Sequence, residues 1–261
     1  MIVSQPTRLA RPTINGFLRI RDGCVCDAQG RAVSVHGVSL FWSHWGQRLF
    51  EPAVVDWLVK DWGITVLRVP ISVIEGGILD HPERETARVY KVIEAALAQD
   101  IYVIVDWHAH DDHRQAARAF FAGVARRFGD LPNLIYETWN EPRPGYRWGR
   151  DIRPYHLAVI EAIREHAPDN LVVAGTEHWS QRVDTAAANP IDDPNLAYAL
   201  HFYSGTHGWR LRERARKALV KGAALFVTEW GLSEASGNGR LGFAEASLWM
   251  RFLAQHGISD V

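Results

Sequence analysis

Two apolar runs that each end in polar residues limit the possible folds of this chain more than any other feature. Residues 134–142 read LIYETWNEP, and residues 225–231 read LFVTEWG. Each run has the length and composition of a buried strand that carries a glutamate, Glu141 or Glu229, at its carboxyl end. In a (β/α)8 barrel, all eight parallel strands direct their carboxyl ends to one shared mouth. The pattern therefore predicts two carboxylates at the mouth of a barrel.

The rest of the chain alternates strand-like and helix-like segments, an order that is typical of a parallel sheet. The predicted strands end near Leu40, Val69, Asp106, Asn140, Gly175, Phe202 and Glu229. The predicted helices cover about residues 52–61, 86–99, 114–128, 155–166, 210–221 and 244–255. We expect a single catalytic domain over residues 1–261, because such barrels usually have about 250 residues.

Both ends of the chain depart from this repeat. Residues 17–35 alternate apolar and polar side chains around Asp22-Gly23, which predicts a β-hairpin that caps the bottom of the barrel, and we expect residues 1–15 to be flexible. Residues 257–261 resemble the start of an eighth strand. We expect a barrel truncated there, with strand 8 and helix 8 incomplete or absent. Open edges on strands 1 and 7 would then let an otherwise monomeric protein self-associate.

Composition narrows the class of partner. With 29 basic and 30 acidic residues the formal net charge is -1, which favours neither nucleic acid nor an anionic membrane surface. No apolar run approaches the roughly 18 residues of a membrane span, and no signal peptide is visible. Eleven tryptophans are many for this length, and flat aromatic faces suit sugar rings. The two cysteines, Cys24 and Cys26, are too close in sequence for an unstrained disulfide, and we interpret them as structural thiols.

Polar side chains occupy the carboxyl ends of most predicted strands. They are Arg68, Asp106, His108, Asn140, Glu141, His201, Tyr203 and Glu229. Each of them has a purely structural explanation when it is taken alone, such as an ion pair or a hydrogen-bonded core histidine. Burying all of them together costs free energy unless they form hydrogen bonds or ion pairs with one another. Two carboxylates in such a setting are the arrangement that hydrolyses glycosidic bonds.

These residues, in this order, resemble glycoside hydrolase family 5, in the clan A of (β/α)8 retaining glycosidases. Residues 39–45 (SLFWSHW), 175–181, 201–209 and 236–239 further resemble bacterial endo-β-1,4-glucanases of that family. The resemblance extends over about residues 15–261.

The resemblance implies a retaining, endo-acting enzyme that cleaves cellulose-type β-1,4-glucan by double displacement, without a cofactor or a metal. Glu229 matches the nucleophile and Glu141 matches the acid/base, whose pKa ionised Glu229 should raise. The implied supporting residues are Arg68 and Tyr203 beside Glu229, Asn140 at the sugar 2-hydroxyl, His108 and His201 as orienting groups, and Trp45 and Trp179 as stacking platforms on the non-reducing side. The family also implies a secreted or periplasmic protein.

Two alternatives stay open. The family places a tryptophan on strand 8 beneath the scissile sugar, and the chain stops before such a residue, so an inactive or non-catalytic sugar-binding form is one alternative. The other is a metal-dependent barrel hydrolase, because residues 108–113 (HAHDDH) contain the ligand types of a metal site. We favour it less, because its paired histidines would lie on strand 3 rather than strand 1. The exact polysaccharide is open as well.

Overall fold

Seven parallel strands form a nearly closed barrel in the computed structural model, which describes residues 10–261. The strands of the chain are β1 (Arg19–Arg21), β2 (Cys24–Cys26), β3 (Gly37–Ser39), β4 (Val66–Ser72), β5 (Tyr102–His108), β6 (Leu134–Glu137), β7 (Leu171–Ala174), β8 (Leu196–Tyr203) and β9 (Leu225–Gly231). Strands β3 to β9 are hydrogen-bonded in chain order, and every neighbouring pair is parallel. This confirms the predicted (β/α)8-type fold.

Helices cover the outside of the barrel. They are α1 (Pro12–Asn15), α2 (Pro52–Trp62), α3 (Pro82–Ala98), α4 (Arg114–Phe128), α5 (Arg153–Arg164), α6 (Glu177–Ser180), α7 (Val183–Ala188), α8 (Trp209–Val220) and α9 (Phe243–His256). A 3₁₀ turn (Gln47–Leu49) and a π-helical turn (Trp148–Ile152) complete the secondary structure. The six predicted helices are all present. No helix within residues 10–261 has the length and apolar character needed to cross a membrane.

Local sequence explains where these elements form. Every residue of β4 and β5 is buried, as expected for parallel strands that are covered on both faces. Helices α2 and α3 each begin with a proline, whose fixed φ suits the first helical turn. Helix α2 ends at Gly63, which takes the left-handed conformation with φ 66°. The prediction for α2 starts at the same proline, whereas the prediction for α3 starts at about residue 86, later than Pro82.

The bottom of the barrel is capped by the predicted hairpin. Strands β1 and β2 are antiparallel, and the turn residues Asp22 and Gly23 have φ values of 51° and 72°, as a two-residue hairpin turn requires. Leu18 and Val25 pack in a second apolar cluster with the first residues of the barrel strands, such as Tyr102. Of the segment predicted to be flexible, residues 1–9 lie outside the described residues, and residues 12–15 form α1.

The C-terminal residues lie between β3 and β9. Asp260 forms parallel bridges with His36 and with Val227, and the amide of Val227 donates to the carbonyl of Ser259 at 2.9 Å. This confirms the prediction that residues 257–261 begin an eighth strand. The prediction of fully open edges is wrong at this level of the barrel, because backbone hydrogen bonds from these residues satisfy both flanking strands.

The close approach of β3 and β4 yields a stability prediction. A Cβ atom on Gly37 would lie 1.7 Å from the carbonyl oxygen of Val66, so Gly37→Ala must separate the two strands. We expect a loss of about 3 kcal/mol in unfolding free energy, at the upper end of typical overpacking costs. Urea denaturation of the purified protein measures it.

Gly123→Ala is the matched control. Gly123 lies inside α4, and the atom nearest to its added Cβ is Tyr90 Oη at 3.6 Å, an ordinary contact. Because glycine is disfavoured inside a helix, this variant should gain about 0.5–1 kcal/mol. Equal stabilities for the two variants would contradict the strand spacing described above.

Candidate active site

A buried arginine organises the carboxyl ends of the barrel strands. Arg68 on β4 donates from Nε to Glu137 Oε2 at 2.7 Å and from Nη1 to Glu229 Oε2 at 3.1 Å. Its Nη2 lies 2.9 Å from Asp106 Oδ2 and donates to Asn140 Oδ1 at 2.6 Å. The residue is fully buried. The three carboxylates raise the pKa of the guanidinium against the lowering effect of burial, so Arg68 carries a permanent positive charge at the mouth.

Glu229 on β9 is held by two donors. Arg68 binds Oε2, and the hydroxyl of Tyr203 donates to Oε1 at 2.7 Å. This brings together the three residues as the sequence predicts. The Glu229 side chain keeps 19% of its surface exposed, so it faces the open mouth and not the core. Hydrogen bonds to both oxygens fix the direction of the carboxylate.

A bulge in β9 determines which side chains reach the mouth. Ala199 pairs with Phe226 and His201 pairs with Glu229, so β9 has one residue more than β8 over this interval. Neighbouring side chains of a regular strand point to opposite faces, whereas a bulge re-aims them. As a result, Thr228 and Glu229 both contact groups of the site.

Glu141 is bordered by two histidines. His201 Nδ1 lies 3.0 Å from Glu141 Oε1, and His110 Nε2 lies 3.5 Å from Glu141 Oε2. The other ring nitrogen of His201 contacts Thr228 Oγ1 at 2.9 Å. Glu141 keeps 16% of its side chain exposed. The two predicted carboxylates therefore lie at the same mouth with different partners: an arginine and a tyrosine for Glu229, and imidazoles for Glu141.

The pKa of Glu141 departs from the sequence-based expectation. Burial raises this pKa, but hydrogen bonds from His110 and His201 outweigh burial and lower the pKa to about 2. The predicted rise is therefore wrong for the free protein. Burial lowers the pKa of His201, while hydrogen bonds to Glu137 and Glu141 raise it to about 10. These two shifts favour a proton on His201 over one on Glu141 across their 3.0 Å contact.

His108 and Asn140 take fixed orientations beside the carboxylates. Asp106 Oδ2 lies 2.6 Å from His108 Nδ1, so we assign the hydrogen to Nδ1 and leave Nε2 as an acceptor. Burial and the charge of Arg68 lower the pKa of His108 to about 3, which keeps the ring neutral. Because Asn140 Oδ1 accepts from Arg68, the amide nitrogen of Asn140 remains as a donor. A neutral acceptor and a neutral donor suit sugar hydroxyls.

Aromatic side chains line the mouth. A cavity of about 300 Å³ contains Glu141, His201, Tyr203 and Trp179. Trp45 does not line this cavity. It lies in an aromatic cluster with Phe41, Trp42 and His44. This cluster contacts the site through Trp42, whose ring centroid lies 4.3 Å from that of His108. The two predicted platforms therefore occupy different parts of the mouth.

Trp179 is carried by a strained turn. His178, Trp179 and Ser180 in α6 have φ values of 59°, 62° and 53°. The left-handed conformation costs roughly 1–2 kcal/mol for each such residue. Two hydrogen bonds oppose this cost: Ser180 Oγ donates to the Asn140 carbonyl at 2.7 Å, and the Trp179 amide donates to the Pro142 carbonyl at 3.0 Å. The segment that carries Glu141 thereby fixes the position of Trp179.

The histidines and aspartates of residues 108–113 do not form a metal centre of their own. Among residues 10–261, the group of three ligands close enough for one ion is Glu141, His201 and Glu229, whose ligand atoms lie within 4.8 Å of one another. His108 contacts Asp106 and His110 faces Glu141. These two histidines therefore belong to the carboxylate site, whereas Asp111 pairs with Arg143 and Asp112 pairs with Arg114.

Three residues of the site were missed by the sequence analysis. Glu137 is fully buried against Arg68, and Thr228 donates to Glu137 Oε1 at 2.6 Å. His110 contacts Glu141 and, edge-on, the Trp179 ring at a centroid distance of 5.0 Å. The available signal for Glu137 was a charged residue inside an otherwise apolar strand, four positions before Glu141.

Known proteins match this chain in sequence. Residues 26–261 match the family model of cellulases, glycosyl hydrolase family 5. Endoglucanase Z of Dickeya dadantii is 47% identical over 236 residues, which cover 88% of this chain and 55% of that protein. Endoglucanase N of Pectobacterium atrosepticum is 42% identical over 252 residues, which cover 95% of this chain and 56% of that protein. The chain thus spans about half the length of these curated relatives.

Known structures match as well. The catalytic domain of Thermobifida fusca endoglucanase Cel5A superposes with a TM-score of 0.91 at 30% identity, covering 97% of this chain and 86% of that one. A variant of the same domain in complex with cellotetraose matches equally well, with a TM-score of 0.91. With a family model that matches nearly the whole described chain and relatives above 40% identity, the chain belongs to the cellulases of glycosyl hydrolase family 5.

Proposed function

We propose that this protein is a retaining endo-β-1,4-glucanase in which Glu229 is the nucleophile and Glu141 is the acid/base. One observation carries the proposal: a carboxylate oxygen of Glu141 and one of Glu229 lie within 4.8 Å of each other. Retaining glycosidases hold their carboxyl groups about 5–5.5 Å apart, whereas inverting enzymes need about 6.5–9.5 Å to admit a water. The spacing leaves room for a covalent intermediate and too little for direct attack by water.

In the first step, Glu229 attacks the anomeric carbon while Glu141 protonates the leaving oxygen. Arg68 and Tyr203 hold the Glu229 carboxylate in a fixed direction before the substrate arrives, so little reorganisation is needed during attack. The amide nitrogen of Asn140 is placed to donate to the sugar 2-hydroxyl, a hydrogen bond that strengthens as charge develops on the ring.

In the second step, Glu141 accepts a proton from water, which attacks the glycosyl-enzyme and releases the sugar. His201 lies 3.0 Å from Glu141, so the proton taken from water has a second acceptor at hand. Two displacements at the anomeric carbon restore the β configuration. The neutral Nε2 of His108 and the aromatic rings of Trp45 and Trp179 would position the bound glucan.

The choice of substrate rests on the relatives. Endoglucanases of Dickeya and Pectobacterium are 42–47% identical to this chain over segments that cover 88–95% of it, and a structural neighbour was determined in complex with cellotetraose. We therefore take β-1,4-linked glucan as the substrate class. Because such a polymer does not cross a cell envelope, we propose that the protein acts outside the cytoplasm, as a secreted or periplasmic enzyme.

Amide variants of the two carboxylates test the assignment. Glu229→Gln removes only the charge of the nucleophile and should abolish turnover while oligosaccharide binding persists. Glu141→Gln should lower kcat/KM on cellotetraose by about 10²–10⁴, the usual contribution of acid catalysis. On 2,4-dinitrophenyl β-cellobioside, whose leaving group needs no proton, it should still release a burst of dinitrophenol. Stopped-flow absorbance and isothermal titration calorimetry provide these measurements.

Far-UV circular dichroism of both variants serves as the control for folding. A Glu141→Gln variant as active as the parent on cellotetraose would overturn the acid/base assignment. Loss of the burst together with retained fold would indicate that Glu141 acts before or during nucleophilic attack in some other way.

The stereochemistry of the product and the effect of a chelator separate this proposal from metal-dependent hydrolysis. Proton NMR at early times should detect the β anomer of the new reducing end, before mutarotation mixes the anomers. Dialysis against EDTA should leave kcat unchanged. An initial α anomer, or activity that EDTA removes and zinc restores, would count against the two-carboxylate mechanism.

A further inference from the structure

A chain of buried hydrogen bonds runs from Glu137 to Glu141 beneath the mouth. The Thr228 hydroxyl donates to Glu137 Oε1 at 2.6 Å, and Thr228 Oγ1 lies 2.9 Å from His201 Nε2. His201 Nδ1 lies 3.0 Å from Glu141 Oε1. Glu137 and Thr228 are fully buried and His201 is 1% exposed. Glu137 and Thr228 do not line the cavity that contains Glu141.

The position of each hydrogen in this series of hydrogen bonds follows from which groups can donate and which can only accept. Glu137 accepts from Arg68 at 2.7 Å, and together with His201 this contact lowers its pKa to about 2 against the raising effect of burial. An ionised carboxylate is only an acceptor, so the single hydrogen of the Thr228 hydroxyl must point to Glu137. Thr228 Oγ1 must then accept from His201, which places a hydrogen on Nε2.

The same count fixes the state of the His201–Glu141 contact. With Nε2 protonated, the hydrogen bond between Nδ1 and Glu141 needs one further hydrogen. That hydrogen lies either on His201, as an imidazolium beside a carboxylate, or on Glu141, as a carboxylic acid beside a neutral ring. In both forms the pair holds one proton that can move between the two residues.

We propose that Glu137, acting through Thr228, keeps one mobile proton in the His201–Glu141 hydrogen bond, and that this is the proton given to the leaving oxygen. The inference rests on the proposed role of Glu141 as acid/base. Glu137 and Thr228 are positioning residues, since neither touches the substrate.

The pair gives up one proton in the first step of the reaction and regains one in the second. In the first step the bond between Glu229 and the anomeric carbon forms, the glycosidic C–O bond breaks, and the leaving oxygen takes the proton from Glu141 as His201 Nδ1 passes its own to Glu141. His201 is then neutral and Glu141 is ionised at the end of the transfer to the leaving group. In the second step the water oxygen bonds to the anomeric carbon, the bond between that carbon and Glu229 breaks to regenerate the carboxylate, and the proton lost by the water returns to the pair.

A second histidine of the barrel provides a structural comparison. His156 contacts Thr138 Oγ1 and the Gly175 carbonyl oxygen, each at 2.8 Å, and burial lowers its pKa to about 4. It bridges neutral groups as a neutral ring. His201 has the same threonine contact but lies between two carboxylates, and this is the arrangement that retains an extra proton.

Other charged and titratable groups also face the pair. They are Arg68 from β4, Asp106 and His108 from β5, His110 after β5, Tyr203 and His207 from β8 and the loop that follows it, and Glu229 from β9. All of them stay in place when only the Thr228 hydroxyl is removed. Glu137 Oε1 also lies 3.5 Å from His201 Nε2, so the charge of Glu137 stays in place as well. The effect of Thr228→Val therefore isolates the hydrogen bond that the Thr228 hydroxyl, oriented by Glu137, accepts from His201.

The test is the pH dependence of kcat/KM for Thr228→Val. The alkaline limb of this profile reports loss of the last proton of the pair in the free enzyme. Because the Thr228 hydroxyl accepts a hydrogen bond from the protonated His201 ring and so stabilises that proton, removing the hydroxyl should move the alkaline limb to lower pH by about one unit, within the usual effect of a hydrogen bond to the charged form. Above that limb, cellotetraose should lose at least ~10-fold more activity than 2,4-dinitrophenyl β-cellobioside, which needs no proton.

Three further variants complete the design. Thr228→Ser keeps the hydroxyl and should restore the parent profile. Thr138→Val removes a hydroxyl–imidazole contact of the same kind in the same barrel and should leave the alkaline limb where it is in the parent. Glu137→Gln removes the charge and should move the limb in the same direction as Thr228→Val. It also provides a second route if Thr228→Val fails to fold.

An NMR readout separates this inference from the proposed function. In ¹⁵N-histidine-labelled protein, the His201 ring should be protonated on both nitrogens at pH 7 in the parent and should lose one proton at lower pH in Thr228→Val. This holds whatever the substrate is. A uniform loss of activity on both substrates with an unmoved limb and an unchanged His201 titration would overturn the inference. A parent that hydrolyses no β-glucan but shows the expected titration would overturn the proposed function alone.

Discussion

The buried charge of Arg68 is the constraint on which the rest of the site depends. An ion of this kind costs several kcal/mol to bury and is tolerated only with well-placed partners. Its carboxylate partners, Asp106, Glu137 and Glu229, come from three different strands. The network is complete only when those strands adopt the observed register with β4. Folding of the barrel and assembly of the mouth are therefore one event.

Departures from regular backbone geometry occur beside the residues of the candidate active site. The bulge in β9 lets Thr228 and Glu229 both face the site, which a regular strand would forbid. The left-handed turn at residues 178–180 carries Trp179 and is tied to the backbone of Asn140 and Pro142. Such strain persists because the surrounding hydrogen bonds fix it, and strained segments of this kind are concentrated at functional sites.

The same features explain what could be predicted from the sequence. Strands β4 and β5 are mostly apolar and helix α2 starts at a proline, so their positions follow from local signals, and the topology then places Arg68 and Glu141 at one mouth. Thr228 could not be predicted, since alternation along a strand turns it away from Glu229 and only the bulge reverses this. The low pKa of Glu141 could not be predicted either, because it depends on distances to two histidines that are far away in sequence.

The two glutamates have different neighbours, which fits the different tasks proposed for them. Glu229, the proposed nucleophile, is fixed in direction by Arg68, whose charge is permanent, and by the Tyr203 hydroxyl. An acid/base must lose and regain a proton in every turnover, which a permanent cation at hydrogen-bond distance would oppose. Imidazoles can give up their charge, so His201 can stabilise the carboxylate of Glu141 and also reprotonate it. The presence of arginine beside one carboxylate and histidine beside the other therefore supports the roles proposed for them.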